Sequence, residues 1–231
     1  MVGFEIFAVD TLMNDFAAGA LRSLQTSQYL CVKSLRLEKI NSKMNSIYFR
    51  EGYVIKDQFA THFLTFTICG WIDLFTRKIY KDIVIDAFKY AQSQHQLILY
   101  AYVIMSNHVH LIARANDKQK KTLSDVIRDF KKFTHHEMMP VIQSEIESRR
   151  QWMLHQFKYY AKYNSNNKEM QIWTNDNHPE ECYSREFINT KLNYIHENPV
   201  RAGIVRNPED YVYSSASNYV GMGGIIDVEL I

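Results

Sequence analysis

The chain has 231 residues, 46% of them hydrophobic, and a formal net charge of +2. That is apolar material for one good-sized core, and too little net charge to mark a nucleic-acid binder by itself, because a phosphate footprint is a local cluster of Lys and Arg. Cys31, Cys69 and Cys182 are odd in number and lack the spacing of a disulfide framework or zinc ribbon. The N-terminus has no signal-peptide pattern, and no apolar run reaches the roughly 20 residues that cross a bilayer, so a soluble cytoplasmic protein is expected.

Residues 1–43 hold an apolar, alanine-containing stretch and a mixed segment over 34–43, and read as an N-terminal extension; patterned sequence begins at Met44, giving an expected domain over 44–231. The β-branched and aromatic run over 62–68 predicts a strand. Val84, Ala87, Phe88 and Ala91 recur at helical spacing and predict a helix over 82–91. A second strand is expected over 97–104 and a third, antiparallel to it, over 108–114, with Ser106-Asn107 as the tight turn between them. Thr122 with Asp125 resembles a capping box, and Leu123, Ile127 and Phe130 form the apolar stripe of a helix reaching about His136. The segment 138–177, with Tyr159, Tyr160, Tyr163, Trp173 and the turn cluster Asn164-Ser165-Asn166-Asn167, reads as a hairpin or irregular insert. A last helix is expected from the N-cap residue Ser184 to Asn198, where Pro199 should end it.

Two places carry chemistry. On a strand, residues two apart share a face, so His108 and His110 project together while Val109, Leu111 and Ala113 project to the other side. Two imidazoles on a rigid element suit one divalent ion; the plainer reading is a pair of partly exposed strand histidines. On the last helix, Ile188, Leu192 and Ile195 form one stripe, whereas Tyr194 and Asn198 lie off it, one turn apart. Tyr194 is then a surface tyrosine or a reactive one, and Asn198 can offer its oxygen to an ion held by the histidines. Elsewhere, Arg128, Lys132 and His135 lie opposite the stripe of their helix, with Lys131 at the edge, a face that either tracks phosphates or is simply solvated. Trp173 and His178 can stack on or pair with an unpaired base, and Trp173 equally suits a core. The 15 tyrosines fit base stacking or half-buried packing alike.

The stretch Met105-Ser106-Asn107-His108-Val109-His110-Leu111 resembles the His-hydrophobe-His motif of the single-tyrosine (HUH) transposases of the smallest bacterial insertion sequences. Tyr194-Ile195-His196-Glu197-Asn198-Pro199-Val200-Arg201-Ala202-Gly203 is similar to the second motif of their domesticated relatives, the REP-associated tyrosine transposases. Asp129-Phe130-Lys131-Lys132-Phe133-Thr134 and Trp173-Thr174-Asn175-Asp176-Asn177-His178-Pro179 resemble further segments of that group, in the same order, over residues 44–219. The resemblance implies an α+β, ferredoxin-like (RRM-like) sandwich with an antiparallel sheet and helices on one face. It implies that His108 and His110 are metal ligands, Tyr194 the nucleophile and Asn198 the third protein ligand, although the mobile-element relatives commonly carry Gln at that last position. It points to Mg²⁺ or Mn²⁺, with zinc equally tolerated by two imidazoles. Expected DNA contacts are Arg128, Lys131, Lys132, His135, Trp173, His178 and Arg201.

The activity so implied is nicking and rejoining of single-stranded, hairpin-forming (REP-like) DNA through a 5′-phosphotyrosine, by a monomer or a homodimer, with no membrane partner. The alternatives are the transposase of an active mobile element, a catalytically silent single-stranded nucleic-acid-binding module, and a metal-dependent hydrolase that uses water and leaves Tyr194 idle. Tyr183 is the nearest rival phenol.

Overall fold

Alternation of side chains along three strands sets the architecture. A computed structural model describes residues 54–94, 96–162, 164 and 169–231; the expected N-terminal extension over 1–43, Tyr163 and residues 165–167 of the turn cluster lie outside the described residues. The elements are β1 (His62–Thr67), α1 (Lys78–Ser93), β2 (Leu97–Ile104), β3 (His108–Ala115), α2 (Leu123–Gln143), α3 (Arg150–Ala161), β4 (Glu180–Glu181), α4 (Arg185–Arg201) and α5 (Ala216–Tyr219). The strands form one antiparallel sheet in the order β2-β3-β1-β4. This is the ferredoxin-like arrangement that the sequence led us to expect, with the first and third strands in the middle.

One face of the sheet presents Leu64, Phe66, Val109 and Leu111, and packs with Val84 and Phe88 of α1 and Ile127 and Phe130 of α2 in the larger core. Phe88 and Phe130 stack at 4.8 Å between centroids. The capping box is present: the Thr122 hydroxyl accepts from the Asp125 backbone N–H while the Asp125 carboxylate accepts from that of Thr122. The opposite face presents Phe63, Ala101, Val103 and Ile112, buried with Ile195 of α4 and with Tyr211. A register shift in β2 between Leu99 and Ala101 turns Leu99 and Tyr102 to the same face, which strict alternation would forbid.

Three elements differ from the sequence expectations. Helix α2 runs on to Gln143, through Pro140. Segment 138–177 is not a hairpin: it holds the end of α2, then α3, which buries Met153, Phe157 and Ala161 at i, i+4, i+8 spacing. It then continues as an extended stretch laid along the edge of β1 beyond the pairing with β4, where the Thr174 N–H bonds Thr67 O at 2.9 Å and the Thr65 N–H bonds Asn177 O at 2.8 Å. Helix α4 begins at Ser184 as expected, with its hydroxyl accepting from the Phe187 N–H, but passes Pro199 to end at Arg201. Pro199 has no N–H to reach back to Ile195 O, so the helix forgoes that hydrogen bond and still continues for two residues. The stop comes instead from Gly203, at φ 70°, whose N–H bonds Val200 O while that of Ile204 bonds Pro199 O, a Schellman cap. Among the described residues, no helix is long and apolar enough to cross a membrane.

Candidate active site

The two-residue turn between β2 and β3 closes with the Met105 N–H bonded to His108 O at 2.8 Å, and starts β3 with a histidine. Because β3 is paired on both sides, by β1 and β2, its side chains cannot slip between faces. His108 and His110 therefore both point to the α4 side, 4.6 Å apart between ring centroids. His110 is buried, 6% exposed, and stacks on Phe63 at 5.3 Å. Tyr194, on the turn of α4 that contributes Ile195 to this core, brings its ring edge-to-face with His110 at 5.1 Å and with Phe63 at 6.0 Å.

The nitrogens of the two imidazoles are not equivalent. The Asn107 amide donates to Asp73 Oδ1 at 2.9 Å and to Trp71 O at 3.3 Å, which turns its oxygen toward His108. That oxygen lies 2.7 Å from His108 Nδ1 and accepts its proton, leaving Nε2 as the ring's lone pair. His110 Nδ1 lies 2.8 Å from Thr65 Oγ1, its cross-strand partner, while His110 Nε2 is buried without any hydrogen-bond partner. A buried polar atom left alone costs about 1–3 kcal/mol. Burial holds the His108 imidazole below its ordinary pKa. It drives His110 down to about 3, aided by the charges of His108, Lys191 and Arg201. Both rings are neutral at physiological pH, the state in which imidazole binds metals.

Two cationic side chains lie near this pair. The Arg201 guanidinium lies 4.6 Å from the Tyr194 ring centroid and donates to the Tyr194 carbonyl at 2.9 Å. Lys191 sits over Phe63 at 4.4 Å and pairs with Glu180 at 2.7 Å. Asn198, half-buried, follows Tyr194 by one turn on α4. Among the described residues no group of three or more His, Cys, Asp and Glu side chains is placed to hold a metal ion.

No family model and no curated protein matches the chain. Among solved structures, a REP-associated tyrosine transposase bound to a REP hairpin matches with a TM-score of 0.50 at 18% identity, covering 79% of this chain and 95% of that one. The fold is that of a REP-associated tyrosine transposase. A candidate transposase from Deinococcus radiodurans also matches, at 19% identity over 64% of this chain and 94% of that one, but its TM-score of 0.37 is too low to add weight.

Within this transposase fold the expected DNA contacts disperse. Arg128, Lys132 and His135 lie on α2, whose apolar side packs the face of the sheet opposite to the histidines. Arg128 is ion-paired with Asp125 at 2.7 Å and Asp129 at 3.4 Å; Lys132 is exposed; His135 is half-buried, with its pKa lowered by burial and by His136. Lys131 is not on the polar face. It turns inward, donating to Thr174 O at 2.7 Å above the Phe66 ring, and burial lowers its pKa to about 8. Trp173 is likewise a core anchor: it is 5% exposed, packs against Phe66, Phe75 and Phe130, and donates its indole N–H to Thr134 at 2.9 Å. His178 stands at φ 40° with its ring 3.6 Å from Asp176. Of the expected DNA contacts, only Arg201 is brought against Tyr194.

Sequence reasoning did not single out Thr65, Asp73 or Lys191, and read Asn107 only as a turn residue. Lys191, one turn before Tyr194, was legible as a neighbour on the same helix. Thr65 needed the β1–β3 register, and Asp73 needed the loop after β1.

Proposed function

We propose that this protein is a metal-dependent, single-tyrosine DNA endonuclease and transposase that nicks and rejoins hairpin-forming, REP-like single strands through a 5′-phosphotyrosine intermediate. The observation that carries the reading is the row His108, His110, Tyr194, with the buried Nε2 of His110 unpartnered and both Nδ1 atoms engaged. The resemblance of both motifs to that family, and the matching fold, support it.

The residues fit a divalent ion. Two neutral imidazoles whose Nδ1 atoms are held by hydrogen bonds offer Nε2, as metal-bound histidines generally do; the Asn198 carboxamide oxygen is our third protein ligand. A bound Mg²⁺ or Mn²⁺ would polarise a phosphoryl oxygen and position the phosphodiester. Tyr194 Oη attacks the phosphorus and gives its proton to water, the bond from phosphorus to the 3′ oxygen breaks, and the departing 3′ oxygen takes a proton from water. The products are a 5′-phosphotyrosine and a free 3′-hydroxyl. Because the covalent bond conserves the energy of the cut linkage, a 3′-hydroxyl can attack it later and release Tyr194, without ATP. Lys191 and Arg201 set positive charge against the phosphate, and Phe63 backs the His110 ring.

The test is to incubate labelled REP-type hairpin DNA with the protein and Mn²⁺ and resolve the products under denaturing conditions. Wild type is expected to give a covalent protein–DNA band, and Tyr194→Phe and His108→Ala none. Cleavage by wild type without a covalent band would favour the water-using hydrolase, and binding alone the silent module.

A further inference from the structure

Trp71 combines an unfavourable backbone with an unfavourable exposure. It closes the 3₁₀ turn Cys69–Trp71 that follows β1, at φ 55°, directly after Gly70 at φ 65°. The left-handed region is costly for a bulky L residue. Gly70 needs its missing Cβ, since one built there would stand 2.7 Å from the Tyr160 ring. Trp71 has no such need, and the residue is 66% exposed. The conformation is nevertheless fixed: the Trp71 N–H bonds Ile68 O at 3.0 Å, and its carbonyl accepts from the Asn107 amide that orients His108. The outcome is an indole standing at the rim of the site, edge-to-face with His108 at 6.0 Å between centroids. It extends the row of rings from Tyr194 through His110 and His108 to the surface. Neither apolar burial nor backbone preference accounts for a tryptophan there.

We propose that Trp71 is a stacking platform for one unpaired nucleobase of the DNA strand, adjacent to the scissile phosphate. The proposal rests on the nicking reading, because it takes the phosphate to lie beside His108 and His110. A flat aromatic with an open face stacks on any base, so the platform selects for unpaired nucleotides over duplex rather than for a sequence. It also sets the register, since a base held there fixes which phosphate reaches Tyr194.

The experiment uses Tyr194→Phe protein, so that binding is measured without covalent capture, and a REP-type hairpin oligonucleotide with single-stranded flanks. The cut site on that oligonucleotide is first mapped with wild type from the covalent product. Trp71→Ala is expected to weaken binding about ten- to a hundredfold, and Trp71→Phe to keep most of it. An abasic nucleotide within two positions of the cut should weaken the parent protein similarly and Trp71→Ala no further. Binding by Trp71→Ala equal to that of its parent would overturn the proposal, as would an abasic penalty that adds to the Trp71→Ala loss at every position. Loss of affinity in Trp71→Phe as large as in Trp71→Ala would also count against stacking. A wild type that forms no covalent product would defeat the nicking reading itself, whatever Trp71 does.

Discussion

His110 concentrates the chemistry of the site. One nitrogen bonds Thr65 and the other is buried and bare. Replacing Thr65 by Val keeps the shape but removes the hydrogen-bond partner that orients the imidazole. Mn²⁺ affinity, read by titration calorimetry, is expected to fall about 10–100-fold. An unchanged affinity would mean that the ring is oriented by packing on Phe63 alone. His196 is the structural counterpart: its Nε2 lies 2.9 Å from Ser215 Oγ, which also accepts from the Tyr102 N–H, so it ties α4 to β2. Burial lowers His196 to about 4 and His110 to about 3. Folded pKa values below the unfolded ones mean that the unfolded chain binds protons first as pH falls. Stability is therefore full above about pH 6.5 and is lost progressively toward pH 3–4. Melting followed by circular dichroism from pH 7.5 to 4 in metal-free buffer should show this fall, and His196→Gln should flatten it. At this scale the shared face of His108 and His110 was legible from the two-residue period alone. Thr65 and Asp73 were not, because a partner across a strand or loop depends on register rather than on local pattern.

At the scale of elements, the strands, the hairpin turn and the starts of α2 and α4 could be read from alternation and capping residues. The ends of both helices could not. Pro140 and Pro199 are strong local stop signals, yet both are overridden, and in α4 the decisive residue is Gly203. A Cβ added at that glycine would meet nothing within 4 Å, so a side chain there would cost backbone energy only. Gly203→Ala is expected to lower stability by about 1 kcal/mol in urea unfolding, and an equal or higher stability would show that the Schellman cap is dispensable. Helix α3 was missed for a different reason. Its apolar stripe is only Met153, Phe157 and Ala161, and no side chain caps its N-terminus, so the helix is determined by packing rather than by its own sequence.

At the scale of the whole molecule, the sheet separates two tasks. One face holds the main core under α1 and α2; the other carries the histidines beneath α4. This separation explains why Lys131 and Trp173, which lie in family-like segments, serve the core and not the site. A motif in sequence order does not say on which side of a sheet it will fall. The central claim, that Tyr194 becomes covalently joined to DNA, is tested most directly by digesting the protein–DNA adduct and mapping the modified peptide by mass spectrometry. A nucleotide remnant on Tyr194 alone is the expected result; a remnant on Tyr183, 77% exposed at the start of α4, with Tyr194 unmodified, would contradict it.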